Sequence, residues 1–190
     1  MSTSTRRPSE ARDRLLRTAS ALFYAEGIRA VGVDRVVEQA TVTRATLYRH
    51  FPGKDDLVVA YLQSVDRAIR DVAGDDAGPV RLRRLVGAMT ETLCGPGFRG
   101  CSFINAAAEY PDPDSPVHRA VREHRTWLLT AFTDDFRAAG HPDPDRAAAH
   151  LVMLRDGAMV AGYLADADRA RTTLTAGLEA LLAEPDQSIS

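Results

Sequence analysis

Apolar residues recur every three or four positions along most of the chain, which is the spacing of helices that bury one face. No stretch of useful length alternates between apolar and polar residues, so the pattern predicts an all-α fold of about nine helices. Glycine and proline separate the helical segments, which cover approximately residues 10–26, 33–40, 44–51, 54–73, 80–93, 102–110, 117–139, 146–164 and 169–182. Ser9 and Asp145 are the predicted N-caps of the first and eighth helices.

Residues 33–51 carry the most specific local pattern, a short amphipathic helix, a tight turn and a second short helix. In the first helix, the spacing i, i+3, i+4, i+7 places four residues on one buried face, namely Val33, Val36, Val37 and Ala40. Thr43 suits the N-cap of the second helix, in which Leu47 and Phe51 face inward. The outer face then carries Arg, Tyr and His, which is typical of a recognition helix in the DNA major groove. A helical hairpin with a solvated polar face is the alternative interpretation.

The string TVTRATLYRHFPGKDDL, residues 41–57, resembles the helix-turn-helix signature of TetR-family transcriptional regulators. The resemblance implies a three-helix N-terminal DNA-binding domain, residues 9–54, and a C-terminal helical domain, residues 55–190, that binds an effector and dimerises. It also implies a homodimer that binds a palindromic operator in double-stranded DNA. Thr41 stands where the family usually has a glycine, so the turn must hold a residue that disfavours a positive φ. Gly32 stands where a Ser or Thr usually caps the preceding helix.

The same resemblance assigns the DNA contacts to the second short helix and the residues just after it. Arg44 and Ala45 occupy the positions where base edges are usually read, and Arg44 is the best candidate for a bidentate contact to guanine. The other predicted DNA-binding residues are Thr46, Tyr48, Arg49, His50 and Lys54.

The charge of the chain is unevenly distributed. Among its 190 residues the net charge is −2, yet residues 1–54 carry ten Lys or Arg against five Asp or Glu, and residues 55–190 carry fourteen against twenty-one. A basic head on an acidic body favours one domain that faces a polyanion and another that need not touch it. The sequence has no recognisable leader and no apolar run of eighteen residues, so we expect a cytoplasmic protein without a membrane partner.

A second informative string, GCSFINAAAE at residues 100–109, resembles a subset of TetR-type regulators in which this helix borders the effector cavity. Asn105 and Glu109 share one face of this small apolar helix, so they either pair with neighbouring helices or point into a cavity. Glu109 and Asp156 would favour a ligand with a cation or hydrogen-bond donors, whereas Arg155 leaves a carboxylate ligand open. The predicted ligand-binding residues are Tyr61, Met89, Phe103, Asn105, Glu109, Trp127, Met153 and Asp156.

Small residues near the C-terminus predict a dimer interface, because they permit two helices to approach closely. Gly157, Ala158, Ala161 and Gly162 form this face, and leucines on the last helix would supply apolar partners, namely Leu174, Leu178 and Leu181. Two such helices per subunit would make a four-helix interface around a two-fold axis. Packing within one subunit is the alternative.

The motif search favours a regulator over an enzyme. The chain contains no nucleophile-elbow G-x-S-x-G string, no zinc-protease H-E-x-x-H string and no phosphate-binding glycine loop. His118 and His124 lie six residues apart, which does not suit a metal site, and we predict neither a metal nor a cofactor. The predicted function is a repressor released from its operator by a small molecule, with the helix after the DNA-binding domain as the lever. The alternative is a DNA-binding regulator switched by a protein partner or by oxidation of Cys94 and Cys101.

Overall fold

The computed structural model describes residues 10–164 and 166–183. These residues form nine α-helices and no strand, which confirms the predicted all-α fold. The helices are α1 (Glu10–Glu26), α2 (Val33–Gln39), α3 (Arg44–His50), α4 (Lys54–Ala73), α5 (Pro79–Leu93), α6 (Ser102–Glu109), α7 (Pro116–Ala138), α8 (Pro144–Leu164) and α9 (Ala167–Leu182). The predicted cap Ser9 lies outside the described residues.

Helices α1 to α3 form a small three-helix head. The apolar stripe of α1 covers α2 and α3, and the buried residues at their contact include Leu15, Phe23, Val36, Leu47 and Phe51. These side chains leave the opposite face of α3 toward solvent, as the spacing of Leu47 and Phe51 predicts.

The turn between α2 and α3 contains the strained residue that the sequence predicts. Thr41 has a φ of 54°, in the left-handed region where a side chain is disfavoured and glycine is not. Two residues later, the Oγ1 atom of Thr43 accepts a hydrogen bond from the backbone N–H of Thr46 at 3.1 Å, which confirms Thr43 as the N-cap of α3. Gly32, at the N-cap of α2, makes no side-chain cap.

Helix α4 links the head to the body without a break in packing. Its first half contributes Leu57, Val58 and Tyr61 to an apolar core that the head shares with α6 and the start of α7. A second core is built from α5, α7, α8 and α9. Ile69 and Met89 pack against both cores. The division of the chain after residue 54 therefore stays a prediction, because one apolar core extends across it.

Proline sets the start of several helices in the body. Helices α5, α7 and α8 begin at Pro79, Pro116 and Pro144, since a proline at the first helical position needs no hydrogen-bond acceptor. The predicted cap Asp145 is wrong, because Asp143 precedes the proline and its Oδ1 atom accepts from the N–H of Arg146 at 3.1 Å. Within the described ranges, no helix is long and apolar enough to cross a membrane.

Candidate DNA-binding surface and effector cavity

Helix α3 presents a polar face to solvent. Leu47, on the opposite side of the helix, is fully buried and thereby sets the orientation of this face. All seven residues predicted to contact DNA lie on α3 or at the first residue of α4. Arg44, Ala45, Tyr48 and Arg49 are exposed, and Thr46, His50 and Lys54 are half-buried at the edges. The Nζ atom of Lys54 lies 3.5 Å from the carbonyl oxygen of Arg29, and burial lowers the pKa of this ammonium group. The arrangement suits a major groove, although the DNA contacts themselves stay a prediction.

Asp34 is a neighbour of this face that the sequence reasoning missed. The guanidinium of Arg44 donates to the Asp34 carboxylate on α2, and this hydrogen bond raises the pKa of Arg44. The proposed base-reading side chain is therefore held across the helix-turn-helix before any DNA is bound. An acidic residue in the first turn of α2, ten positions before the arginine, was the available signal.

A cavity of about 490 Å³ is bounded by α4, α5, α6, α8, the loop before α6 and Tyr24 of α1. Its walls are mostly aliphatic and aromatic. Of the eight residues predicted to bind ligand, only Met89 and Phe103 line it. Arg155 lines it as well, although the sequence reasoning gave that residue no place among the ligand-binding residues.

Asn105 and Glu109 lie outside this cavity, because backbone groups hold their side chains elsewhere. The Nδ2 atom of Asn105 donates to the carbonyl oxygen of Arg99 at 2.8 Å. The Glu109 carboxylate accepts from the N–H groups of Ile28 at 2.9 Å and Arg29 at 2.6 Å. Together with Tyr61 they border a smaller recess of about 230 Å³ beside α1. Both side chains therefore pair with neighbouring segments and also border this recess, and their contact with a ligand stays a prediction.

Trp127, Met153 and Asp156 are also separated from the cavity. Trp127 lies on the outside of α7, with the guanidinium of Arg70 4.2 Å from its ring centre. Met153 is 72% exposed. Successive helical residues are rotated by about 100°, so a helix that turns Arg155 inward directs Met153 to the opposite side. Asp156 forms ion pairs with Arg125 and Arg155 instead.

Arg155 is the one buried cation of α8. It shares the inward stripe with Leu151, Ala158 and Met159, and only 5% of its surface is exposed. Its Nη2 atom lies 3.0 Å from Cys101 Sγ, and its Nη1 atom donates to Asp156 at 2.7 Å. Burial acts to lower the pKa of Arg155, but Cys101 and Asp156 outweigh it and the pKa is raised. The local pattern did not mark this residue, because apolar residues occur on all sides of α8.

His124 is a second buried polar group next to the cavity wall. Its ring stacks on Phe103 with centroids 3.6 Å apart, and its Nδ1 atom donates to Asp66 Oδ1 at 2.7 Å. Burial lowers the pKa of His124, while the hydrogen bond to Asp66 opposes that effect. The ring is therefore neutral near neutral pH.

The predicted dimer residues divide between the inside and the outside of the subunit. Leu174, Leu178 and Leu181 are buried in the subunit's own core, as is Ala158. A Cβ atom at Gly162 would lie 2.6 Å from the Leu93 side chain, so Gly162 is required for packing against α5. For these five residues the structure has the alternative, packing within one subunit. Gly157 and Ala161 remain on an outer face beside a groove between α8 and α9, together with the exposed Val160 and Leu164.

The two cysteines have different surroundings. Cys94 is exposed at the end of α5, and Cys101 is buried against Arg155. In the part of the chain that the structure describes, no three His, Cys, Asp or Glu side chains are grouped to hold a metal ion.

The head and its exposed third helix define a helix-turn-helix DNA-binding protein. Residues 15–61 match the family described as bacterial regulatory proteins, tetR family. The crystal structure of SCO4454, a TetR-family transcriptional regulator from Streptomyces coelicolor, is 49% identical, covers 94% of this chain and 97% of its own, and superposes with a TM-score of 0.88. The sav143 regulator of Streptomyces avermitilis is 28% identical over 91% of this chain and 98% of its own, with a TM-score of 0.78.

Similarity extends to characterised sequences. The HTH-type transcriptional regulator YjdC of Escherichia coli is 23% identical over 78% of this chain and 81% of its own length. The chain belongs to the TetR family and is a DNA-binding transcriptional regulator. Its relatives are named as regulators and not as enzymes, which confirms the predicted class of protein. The alternative of a regulator without a small-molecule ligand is not favoured.

Proposed function

We propose that this regulator is a homodimeric repressor that leaves a palindromic operator when a small molecule occupies the cavity beside α6. Residues 9–54 would bind DNA in the cytoplasm, and residues 55–190 would bind the effector and dimerise. The observation that most directly supports this proposal is that α6 borders the cavity at one end and is hydrogen-bonded to the head at the other.

The first step of the coupling concerns the start of α6. Gly100, Cys101 and Ser102 line the cavity. Just before them, the hydroxyl of Tyr24 on α1 accepts from the N–H of Arg99 at 2.9 Å and donates to the carbonyl of Gly100 at 3.0 Å. A ligand that displaces this segment would therefore pull on α1.

The second step concerns the end of α6. The Glu109 carboxylate accepts hydrogen bonds from two backbone N–H groups in the segment between α1 and α2. These groups directly follow Gly27, which has a φ of +95°. The next residue, Tyr110, donates its hydroxyl hydrogen to Asp55 at 2.9 Å, at the start of α4. The segment between α1 and α2 and the start of α4 flank the recognition helix, and both are hydrogen-bonded to the C-terminal end of α6.

The effector would act by preferring the form whose heads do not fit the operator. Moving such an equilibrium from about 1:99 to about 99:1 needs roughly 10⁴-fold tighter binding to that form. The supporting feature is that α4 also lines the cavity along its second half, while its first residue, Lys54, lies at the DNA-facing surface.

The dimer would form through the outer faces of α8 and α9. Met153 and Leu164 are each 72% exposed on α8, and Val160 is also exposed there. An exposed apolar stripe of this kind is typical of an interaction surface. The two recognition helices of the dimer would then enter successive major grooves of a two-fold symmetric site.

A variant that fills the cavity tests the proposal without knowledge of the effector. Ala88 lies on the α5 wall, so Ala88→Phe should occupy part of the space that a ligand would take. Operator DNA is first selected from a random pool, and its affinity is then measured by fluorescence anisotropy. We expect Ala88→Phe to weaken operator binding by about tenfold or more, which corresponds to about 1.4 kcal/mol.

The matched control is Ala139→Phe, because Ala139 is an exposed alanine at the end of α7 and does not line the cavity. Equal operator affinity in Ala88→Phe and the unmodified protein, with both folded, would refute a link between the cavity and DNA binding. Selection of a non-palindromic sequence would refute the symmetric operator.

A further inference from the structure

Within the described residues, the effector cavity has a single charged wall residue, the buried Arg155. No aspartate or glutamate among these residues lines the cavity, so a cationic ligand would find no counter-charge there. This arrangement reverses the expectation from Glu109 and Asp156, which both lie outside the cavity.

Arg155 retains unused donor capacity. Its two Nη atoms each have a partner, but its buried Nε atom has no hydrogen-bond partner among the residues that the structure describes. A buried donor without an acceptor is unfavourable, so an acceptor from a ligand would be stabilising. A carboxylate accepts charge-assisted hydrogen bonds from a guanidinium, which makes it a well-matched acceptor.

The other polar groups of the wall are largely committed to the backbone. Ser64 donates to the carbonyl of Tyr61, Thr92 donates to that of Ala88, and Tyr24 donates to that of Gly100. Their hydroxyl hydrogens are therefore unavailable to a ligand. Ser102, another hydroxyl of the wall, forms a side-chain hydrogen bond with Tyr61. Arg155 is left as the charged donor of the cavity.

The surrounding ion pairs leave an excess of positive charge. Asp156 is shared between Arg155 and Arg125, so one carboxylate faces two guanidinium groups. The Cys101 sulfur also contacts Arg155. A monoanionic ligand would balance this cluster in a region where burial strengthens electrostatic interactions.

We infer that the effector is an amphipathic carboxylate whose anionic group binds Arg155 and whose apolar body fills the cavity along α4 and α5. The inference rests on the proposed function of the cavity as the effector site. The apolar remainder of the wall, which includes Ile69, Leu85, Met89 and Phe103, selects a hydrophobic body for such a ligand.

Three probes that share one alkyl chain and differ in head group test this inference, namely decanoate, decan-1-ol and decylamine. Isothermal titration calorimetry on the full chain measures their affinities, below the concentrations at which they form micelles. We expect decanoate to bind at least about tenfold tighter than the alcohol, because a charged hydrogen bond is stronger than a neutral one. The amine should bind most weakly.

Variants then locate the selectivity. Arg155→Met should remove the preference for decanoate over decan-1-ol, whereas Arg155→Lys should retain part of it. Arg137→Met is the control, because Arg137 is an exposed arginine of α7 that pairs with Asp134 and does not line the cavity. It should leave the preference for decanoate unchanged.

Several results would overturn the inference. These are equal or tighter binding of the alcohol or the amine, no binding of any probe, an unchanged preference in Arg155→Met, or a lost preference in Arg137→Met. Operator release, followed in parallel by fluorescence anisotropy, separates the two proposals. Release by decan-1-ol as readily as by decanoate would overturn the carboxylate class alone. Selective decanoate binding without release would instead refute the release mechanism and leave the ligand class in place.

Discussion

The contact between Glu109 and the head is the feature whose removal has the most specific expected effect. The carboxylate accepts from Ile28 N at 2.9 Å and Arg29 N at 2.6 Å, and the Gly27 backbone passes close to the same carboxylate. In Glu109→Gln one of the two acceptor oxygens is replaced by an NH₂ group, which faces a backbone donor. One charge-assisted hydrogen bond is therefore lost, and the new NH₂ group faces a backbone N–H group, so neither has an acceptor.

The size of the expected loss in stability follows from this substitution. A hydrogen bond to a charged group contributes about 1.5–3 kcal/mol, and Glu109 is half-buried, so solvent screening places the expected loss near the lower end. Urea unfolding should therefore show a free energy of unfolding lower by about 1.5 kcal/mol at an unchanged m-value. The control is Glu91→Gln, an exposed glutamate on α5, which should change the free energy of unfolding by less than about 0.5 kcal/mol.

The same variant reports on coupling through a double-mutant cycle. If α6 carries the signal, Ala88→Phe should weaken operator binding in the unmodified background but by a much smaller factor when Glu109→Gln is also present. Additive effects of the two substitutions on operator affinity, measured by fluorescence anisotropy, would refute a path through Glu109. A change in stability with unchanged coupling would leave Glu109 as a structural contact only.

Three further predictions concern the recognition helix, the dimer and pH. Arg44→Ala should cost about 1–3 kcal/mol of operator binding and relax the preference at one base pair per half-site, whereas Lys54→Ala should weaken all sequences alike and lower the salt dependence by about one unit; uniform loss of affinity in both variants would contradict the assignment of Arg44. Ala161→Glu should place a carboxylate in the proposed interface at a cost of several kcal/mol and yield a monomer in sedimentation, while a surviving dimer would move the interface elsewhere. Because the pKa of His124 is lowered by burial, the unfolded chain binds protons more readily, so stability present above the ordinary value of 6.5 should be lost as the pH falls through the lowered pKa. Thermal unfolding of His124→Gln between pH 5 and 8 should show a smaller loss of stability on acidification, and an unchanged pH dependence would assign it to other groups.

Local sequence patterns predicted the head in detail because its structure is decided over short distances. The spacing of Leu47 and Phe51 and the cap at Thr43 each depend on residues only a few positions apart, whereas the positive φ at Thr41 was expected from the resemblance to the family. Helix starts were less accurate where two neighbouring aspartates could both cap. Pro144, between Asp143 and Asp145, occupies the first helical position of α8, so Asp143 is the residue that caps this helix.

The cavity was predicted less well because it depends on the rotation of each helix about its own axis. Met153 and Arg155 are only two residues apart, yet one faces solvent and the other is buried. The sequence marked α8 as almost uniformly apolar, so its pattern did not distinguish the face toward the cavity from the face toward a partner. The pairing of Glu109 with residues about eighty positions earlier likewise depends on the tertiary fold and leaves no local signal.

In the proposed mechanism, the short helix α6 would transmit a small shift at the cavity to the DNA-binding surface. Its eight residues span about 12 Å, and a helix of that length moves as one body. Gly100, two residues before its start, and Glu109 at its end are both hydrogen-bonded to the head, so displacement by a ligand at Phe103 would act on both contacts. If these hydrogen bonds hold, the head follows α6 and the recognition helix changes position, whereas broken hydrogen bonds would uncouple the head from the cavity. Deletion of either tie should therefore reduce the response of operator binding to a filled cavity, and loss of both should abolish it.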